Sequence, residues 1–279
     1  MKKKILCMIA LFVAMTATVQ AQSLTLKKKY TGNWQGETVS SINKPNGRMY
    51  RLREEIQCKD LPLIPRVENS DTKMIMIISE KIASGWMALY RNELGADSYK
   101  FIVVFYNEDK NPEASIDLCE ISNTYNCEVQ DIRWDAANSH LFFNMACPSY
   151  ASGIGGKGSK LFCYDPKEGK MLWSTPYLTS NDIFTFNQDY VFCSYGFTNE
   201  KDYVFMLDKK TGKILSKLPT TKKIEYMELK KKDDKDLLYA VDYNDVLYVY
   251  NINDTSVASA KKPAAKKSTA KKSAAKKKR

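Results

Sequence analysis

Histidine is nearly absent from this chain, and its scarcity limits the chemistry that the protein can perform. The one histidine, His140, lies where a turn meets a predicted strand, so we interpret it as a surface or turn residue. A Ser-His or Cys-His catalytic pair would have to use it. Zinc sites normally recruit histidines or closely spaced cysteine pairs, and the sequence has no C-x-x-C. We therefore predict no metal site.

Long apolar runs are also scarce. The one long run, from Ile5 to Val19, follows three lysines and precedes the small-x-small sequence Val19-Gln20-Ala21. These are the three zones of a cleavable secretory signal, here residues 1–21, and the run is shorter than the roughly 20 residues that a spanning helix needs. We expect an exported protein, periplasmic or extracellular, without a transmembrane segment after cleavage. A retained signal anchor is the alternative.

Cysteine is present, but without metal-binding spacing. One of the seven cysteines, Cys7, lies in the predicted signal, and the even number that remains permits disulfides in an exported chain. Cys119 and Cys127 are the only two close enough to favour a local disulfide, which would span the turn "ISNTYN". Cys163 lies within the apolar run "LFCYD", so we predict that it is a core residue.

Basic charge is unevenly distributed along the chain. Of the 43 lysines and arginines, three lie at residues 2–4 and ten at residues 261–279, so the remaining 30 nearly balance the 32 acids. The body is therefore close to neutral and gives no global sign of a nucleic-acid or membrane surface.

Short apolar strands recur at a fixed interval. The segments "KLFCYDPKEGKMLW" and "YVFMLDKKTGKILS" place Asp165 and Asp208 43 residues apart, and another 43 residues reach Asn251. A fainter copy places Asn107 at the same point. A second apolar strand precedes each copy: "LFFN", "YVFC", "LLYA" and "MALY". A unit of this length, with three or four short strands, has the size of a propeller blade.

The repeat predicts an all-β fold, a small or incomplete β-propeller of four to five blades within residues 22–256. Four blades fall at about 73–121, 126–176, 181–219 and 223–256, and the stretch 24–65 has enough β pattern for a fifth. The strand-end aspartates are expected to cap their turns, with Gly169 and Gly212 at positive φ. A β-barrel or sandwich is the alternative fold.

The segment "LFCYDPKEGKMLW" resembles the repeat of quinoprotein-type β-propellers, in which an apolar strand leads into Asp, a Thr/Glu-Gly-Lys turn and a Trp. The resemblance covers about residues 126–256, and the Trp is present in only one copy, as Trp173, since Ser216 occupies that position in the next. It implies a fold and says little about activity. Nothing corresponds to the cofactor pocket of the longer quinone-dependent dehydrogenases, so we predict no cofactor.

Acidic residues supply the candidate chemistry. Asp131 and Asp135 lie at the ends of the predicted inner strand "DIRWD", and Asp182 occupies the related place in "NDIFTF". Carboxylates that converge at a propeller axis are the arrangement of a glycosidase, whereas aspartates that cap turns are structural. The glycine-rich segment 152–160 lacks the P-loop spacing and is predicted to be a long hairpin loop that can contact a partner.

Residues 257–279 are rich in lysine and alanine. Lysine pairs begin every five residues, which on a helix would spread charge around all faces, so we predict no membrane insertion. Pro263, charge repulsion and the lack of large apolar residues predict disorder. We assign polyanion binding to its ten cations: Lys261, Lys262, Lys266, Lys267, Lys271, Lys272, Lys276, Lys277, Lys278 and Arg279.

This segment resembles the lysine-alanine-rich tails of linker histones and bacterial histone-like proteins, which neutralise nucleic-acid phosphates without reading sequence. In an exported protein the same attraction applies to anionic envelope polymers or lipids. The sequence thus favours a non-enzymatic binding or scaffold protein of the cell envelope, with other envelope proteins as further partners. The alternatives are a carbohydrate-active propeller enzyme, a histone-like protein that binds nucleic acid through the tail, and a tail that is only solubilising.

Overall fold

The computed structural model describes residues 22–32, 58–62, 73–92, 99–147 and 149–254. By its internal contacts the chain divides into two units, and the one described below comprises Ser23–Ile252. The predicted signal at 1–21 and the predicted tail at 257–279 lie outside the described residues, as do 33–57 and 63–72, within and just beyond the stretch predicted to supply a fifth blade. Among the described residues, no helix is long and apolar enough to cross a membrane.

In the described ranges, sixteen strands form four sheets of four strands each. Blade 1 contains β2 (Met74–Ile82), β3 (Gly85–Asn92), β4 (Phe101–Tyr106) and β5 (Pro112–Asp117). Blade 2 contains β6 (Glu128–Asp135), β7 (His140–Ala146), β8 (Lys160–Asp165) and β9 (Lys170–Ser174). Blade 3 contains β10 (Phe184–Phe186), β11 (Tyr190–Tyr195), β12 (Tyr203–Asp208) and β13 (Ile214–Pro219). Blade 4 contains β14 (Ile224–Lys232), β15 (Lys235–Asp242), β16 (Leu247–Asn253) and β1 (Ser23–Tyr30).

The predicted small β-propeller is confirmed by this topology. In blades 1 to 3, consecutive strands pair antiparallel from the first strand to the fourth, which is the meander of a propeller blade. The repeat is confirmed as well, because Asp165, Asp208 and Asn251 all lie in the third strands of their blades. The four blade limits drawn from the sequence agree with the sheets to within a few residues.

The first described strand was expected to belong to a separate fifth blade. The structure instead places β1 next to β16, as the outermost strand of blade 4. Blade 4 is therefore completed by a strand that precedes blade 1 in sequence. The sequence did not show this because "SLTLKKKY" has no turn linking it to any particular neighbour.

In blades 2 and 3, both faces of the sheet are buried against the neighbouring blades. In β7, Leu141 and Phe143 pack in the cluster shared with blade 1, while Phe142 packs in the cluster shared with blade 3. In β11, Val191 faces blade 2 and Phe192 faces blade 4. Since successive side chains of a strand point to opposite faces, burial on both sides explains the uninterrupted apolar runs.

The turns after the third strands have the predicted chemistry. The Asp165 carboxylate accepts a hydrogen bond from the backbone N–H of Lys167 at 2.9 Å, and Asp208 accepts one from Thr211 at 2.8 Å. Gly169 and Gly212 have φ values of 61° and 69°, as the turns require. The prediction that these aspartates cap their turns, with glycine at positive φ, is confirmed.

Trp173 joins blade 2 to blade 3. Its indole Nε1 donates a hydrogen bond to the carbonyl oxygen of Lys209 at 3.0 Å, in the turn between β12 and β13. The ring also lies against Gly212, where an added Cβ would meet Trp173 Cε3 at 2.5 Å. Gly212 is therefore needed both for its backbone conformation and for the close approach of the indole.

Candidate functional site

The candidate acids lie at the interface between blades 2 and 3, and Asp131 is the most enclosed of them. It is 1% exposed and sits at a bulge in β6. Its carboxylate accepts hydrogen bonds from Arg133 Nε at 3.0 Å and from the backbone N–H of Phe184 at 3.1 Å. Asn144 accepts a hydrogen bond from the Asp131 N–H at 2.7 Å and donates one to the Asp182 carbonyl at 2.7 Å. These contacts fasten blade 2 to the first strand of blade 3.

Asp182 lies in the segment that leads from blade 2 into blade 3. Its carboxylate forms an ion pair with the ammonium of Lys223, in the segment that leads from blade 3 into blade 4. The backbone N–H of Asp182 donates a hydrogen bond to the side chain of Gln130, on the inner strand of blade 2. Asp182 therefore connects three consecutive blades through its backbone and side chain.

Asp135, the last residue of β6, pairs with Lys209 of blade 3. Its carboxylate lies 2.8 Å from Lys209 Nζ, and the two side chains are 4% and 5% exposed. Lys209 also donates a hydrogen bond to the Asn187 carbonyl at 3.0 Å and lies 4.3 Å from the centre of the Phe186 ring. Burial would raise the pKa of Asp135, but hydrogen bonds from Lys209 and Asn138 outweigh it and lower the pKa.

The three acids thus occupy separate ion pairs, with Arg133, Lys209 and Lys223 as their partners. The structure places Asp131 and Asp135 on the inner strand of blade 2, where the sequence predicted them. Asn144 links Asp182 to Asp131 through hydrogen bonds. A glycosidase needs one carboxyl to donate a proton and another to attack or to activate water. Each of these acids instead makes at least one contact with a residue of another blade or of a segment between blades.

A cleft of about 600 Å³ opens beside the Asp135–Lys209 pair, between blades 2 and 3. Trp173 and Phe186 contribute its aromatic lining, while His140 and Asp189 contribute polar groups. His140 begins β7 opposite Asp135, at the turn-to-strand junction that the sequence predicted. Among the described residues there is no cluster of three His, Cys, Asp or Glu side chains suited to a metal ion.

The cysteines are arranged differently from the prediction. Cys127 forms a disulfide with Cys147, so the predicted Cys119–Cys127 pairing is wrong. The physical reason is the register of the β6–β7 hairpin, which pairs Glu128 with Ala146 and thus places residues 127 and 147 opposite each other. Cys119 lies in a short helix, α1 (Leu118–Ser122), where burial raises the pKa of its thiol to about 11.

Cys163 confirms the prediction of a core cysteine. It is 1% exposed in the cluster between blades 2 and 3 and carries a free thiol. Burial raises its pKa to about 12, so the thiolate needed for nucleophilic chemistry is scarce at neutral pH.

The glycine-rich segment joins β7 to β8 as a hairpin loop, as predicted. It begins with a 3-10 turn, Ala151–Ile154, whose first N–H donates a hydrogen bond to the Glu200 carboxylate at 2.6 Å. The ring of Tyr150 packs edge-on against Phe197 at 4.8 Å. The loop therefore packs against the corresponding loop of blade 3.

The predicted polyanion site cannot be compared with the structure, and two lysines that pair with the acids were not predicted. The polyanion-binding cations of the tail, Lys261 to Arg279, lie outside the described residues. Lys209 and Lys223 were missed as partners of the acids. In "DKKTGK" and "TTKKI" one lysine of each pair is held at a blade interface, and nothing in either letter pattern distinguishes it from its exposed neighbour.

No protein-family model matches this chain, and no curated protein does. Among solved structures it is similar to Saccharomyces cerevisiae Sqt1, at 13% identity and a TM-score of 0.41, over 60% of this chain and 41% of that one. It is also similar to the quinohemoprotein alcohol dehydrogenase ADHIIG of Pseudomonas putida HK5, at 12% identity and a TM-score of 0.40, over 73% and 42%. A third is the β-propeller domain of the Trilobed protease from Pyrococcus furiosus, which has an open velcro topology, at 12% identity and a TM-score of 0.38, over 63% and 54%.

The chain spans about half the length of these structures, 41% to 54% of each. At such identities and TM-scores the similarity says nothing of activity. The fold assignment rests on the four-stranded sheets and their order along the chain.

Proposed function

We propose that this chain is an exported, non-enzymatic binding or scaffold protein of the cell envelope, held to anionic polymers or lipids by its lysine-rich C-terminal segment. The observation that carries the proposal is the separation of charge along the sequence. Ten cations and no acid lie within residues 261–279, beyond a body in which bases and acids nearly balance. Such a segment binds polyanions by releasing their counterions, whatever the polymer backbone.

The ion pairs and hydrogen bonds of the candidate acids support a binding role rather than catalysis on carbohydrates. Asp135 and Asp182 each form an ion pair with a lysine from beyond blade 2. Asp131 forms its ion pair within β6 and accepts a hydrogen bond from the backbone N–H of Phe184 in blade 3. Proton transfer by any of them would require the loss of a contact that holds the propeller together. We therefore assign these residues to stability, and ligand recognition to the surface and the tail.

The repeat also supports a place among quinoprotein-type propellers, as a small and degenerate form without the cofactor. Trp173 docks on the glycine turn of the next blade through a hydrogen bond and a close ring contact. Blade 3 has Ser216 where the next such tryptophan would stand. This tryptophan contact is therefore present between blades 2 and 3, and the tryptophan is replaced by serine in blade 3. A repeat with only a structural role, as in a scaffold, is expected to tolerate such a loss.

Deleting residues 261–279 tests the tail. We expect the truncated protein to fold, and to bind anionic vesicles, acidic polysaccharide and DNA much more weakly than the intact protein at low salt. For DNA, engagement of about half the charges predicts a log–log salt slope of roughly −4 to −5 in the intact protein. A variant with arginine in place of each tail lysine is the matched control, since it keeps the charge and should bind nearly as well.

Two results would contradict the proposal. Equal affinities of intact and truncated protein for all three ligands would mean that the tail does not bind polyanions. Recovery of a cytoplasmic chain that still begins at Met1, shown by fractionation and N-terminal sequencing, would exclude export and favour the nucleic-acid alternative.

A further inference from the structure

The cleft between blades 2 and 3 has no part in the binding proposed for the tail, and its size suits a small ligand. Its volume of about 600 Å³ lies within the range of roughly 300–1,000 Å³ typical of small-molecule sites. Strand β9 of blade 2 supplies one side of the cleft. The opposite side consists of two turns of blade 3, the one between β10 and β11 and the one between β12 and β13.

Part of the lining is apolar and accessible. Leu172 of β9 is 38% exposed, and Phe186 at the end of β10 is half-buried. The indole of Trp173 also reaches the cleft, although most of it is buried in the blade junction. A ligand with an aliphatic or aromatic group can therefore cover Leu172 and Phe186 and remove apolar surface from water.

The buried charges of the cleft are already paired. Asp135 and Lys209 both line it, at 2.8 Å from each other, and their side chains are almost fully buried. Because the two charges cancel, the interior of the cleft has no net charge with which to attract an anion or a cation. The interior therefore favours a ligand that has no net charge.

Two exposed charges of opposite sign lie at the opening of the cleft. Asp189 belongs to the turn between β10 and β11, and Lys210 to the turn between β12 and β13. Among the ion pairs that the described residues form, none includes Asp189 or Lys210. The backbone N–H of Lys209 donates a hydrogen bond to the Asp189 carbonyl at 2.9 Å, so the two turns are adjacent. A carboxylate and an ammonium are thus available on neighbouring turns.

Hydrogen bonds fix the backbone of both turns. Asn187 Oδ1 accepts hydrogen bonds from two backbone N–H groups, including that of Asp189 at 3.0 Å. The Asp208 carboxylate accepts hydrogen bonds from the N–H and the hydroxyl of Thr211, at 2.8 Å and 2.7 Å, and so holds the turn that contains Lys210. A site whose backbone is fixed in advance loses less conformational entropy when a ligand binds.

We infer that this cleft binds a free α-amino acid with an apolar side chain. The inference rests on the proposed binding role and names a ligand for it. The ligand ammonium pairs with Asp189, its carboxylate pairs with Lys210, and its side chain covers Leu172 and Phe186. Because the two charged turns are hydrogen-bonded neighbours, the ammonium and the carboxylate of the ligand must also be close together, as they are on one α-carbon.

Charge complementarity is the reason for preferring an amino acid to other small molecules. A zwitterion has no net charge, which suits the paired interior, and it offers a partner to each of the two exposed charges. A neutral sugar would leave Asp189 and Lys210 without opposite charges. A simple anion or cation would satisfy only one of them and would place a like charge beside the other.

The test measures the binding of L-leucine to the full chain by calorimetry. N-acetyl-L-leucine, which lacks the ammonium, and L-leucinamide, which lacks the carboxylate, are the comparison ligands. The cleft variants are Asp189→Asn and Lys210→Gln. The control variants are Glu168→Gln and Lys167→Gln, at exposed positions of the β8–β9 turn that do not line the cleft; Lys167 occupies the place in its turn that Lys210 has in blade 3. Thermal unfolding verifies that every variant folds.

We expect the natural protein to bind leucine about fivefold or more tightly than either derivative, because each derivative lacks one charged contact. Asp189→Asn should lose affinity for leucine but not for N-acetyl-leucine, and Lys210→Gln should lose affinity for leucine but not for leucinamide. The control variants should stay within about twofold of the natural protein. Affinity should also rise from glycine through alanine to leucine, by roughly threefold for each carbon that is buried.

Three results would overturn the inference: no saturable binding of leucine, equal affinities for leucine and both derivatives, or equal losses in the cleft and control variants. Saturable binding of glucose in place of leucine would show that the ligand class is wrong. Failure of this test is distinguishable from failure of the tail proposal, because none of these ligands is a polyanion. Loss of leucine binding would leave polyanion binding by the tail intact, and the reverse also holds.

Discussion

The substitution Gly212→Ala, compared with Gly169→Ala, tests how blades 2 and 3 are joined. The two glycines occupy equivalent turns with nearly equal φ, 69° and 61°. At Gly169 the nearest atom to an added Cβ is Tyr164 Oη at 3.9 Å, which is ordinary contact. At Gly212 the Cβ would lie 2.5 Å from Trp173 Cε3. The backbone strain is therefore shared, and the collision is confined to Gly212.

The expected magnitudes follow from these two causes. A left-handed backbone conformation costs alanine about 1–2 kcal/mol, so Gly169→Ala should lower the free energy of unfolding by that amount. Gly212→Ala adds overpacking of about 1–3 kcal/mol, for a total of roughly 2–5 kcal/mol. The indole cannot easily move aside, because its Nε1 is bonded to the Lys209 carbonyl and its ring is 9% exposed.

Urea unfolding of the two variants gives the first measurement, and a double-mutant cycle with Trp173→Leu gives the second. When the indole is absent the collision is removed, so Gly212→Ala should then cost no more than Gly169→Ala does. The coupling energy between positions 173 and 212 should be about 1–3 kcal/mol. Equal losses for the two alanine variants, or a coupling energy near zero, would refute this account of the blade junction.

Two further predictions concern the ion pair and the disulfide. Lys209→Met should cost about 3–5 kcal/mol, since it leaves Asp135 buried and unpaired, whereas Lys210→Met at the exposed neighbouring position should change stability by less than about 0.5 kcal/mol in urea unfolding. Folding lowers the pKa of Asp135 from its ordinary value of 3.8, so the pair stabilises the protein fully at pH values above 3.8. The free energy of unfolding of the natural protein should therefore approach that of Asp135→Asn as the pH falls through the lowered pKa. Peptide mapping of the oxidised protein should find Cys127 linked to Cys147 and Cys119 free, and Cys147→Ser should cost about 2–4 kcal/mol; a Cys119–Cys127 peptide would contradict the structure.

The fold was predictable because each repeat consists of short sequence patterns, a strand that ends in aspartate and a turn that contains glycine. Asp165 and Asp208 end strands that lead into glycine turns, and each turn is made by residues adjacent in sequence. The position of β1 was not predictable in this way. Its partner β16 lies more than 200 residues further along the chain, and no turn connects the two. Pairing between such distant strands is specified by the whole assembly and not by a local motif.

The site was predictable only in part, for a similar reason. Asp131, Asp135 and Asp182 were expected at inner-strand positions, and the structure places them on or just before the inner strands. Their partners include lysines of later blades, and the choice between Lys209 and Lys210 depends on which one faces the interface. The disulfide was closer to being predictable, because a hairpin drawn with Glu128 opposite Ala146 would have placed Cys127 beside Cys147.

The near-neutral charge of the body conceals how its charges are divided. Several of its acids have structural roles, such as Asp135 and Asp182 in pairs between blades and Asp165 and Asp208 at turns. Lys209 and Lys223 neutralise the two acids between blades, whereas backbone N–H groups bind the two acids at the turns. Counting bases against acids therefore does not show which charges are engaged. The order of the strands is needed as well, because it brings lysines of one blade beside acids of the blade before it.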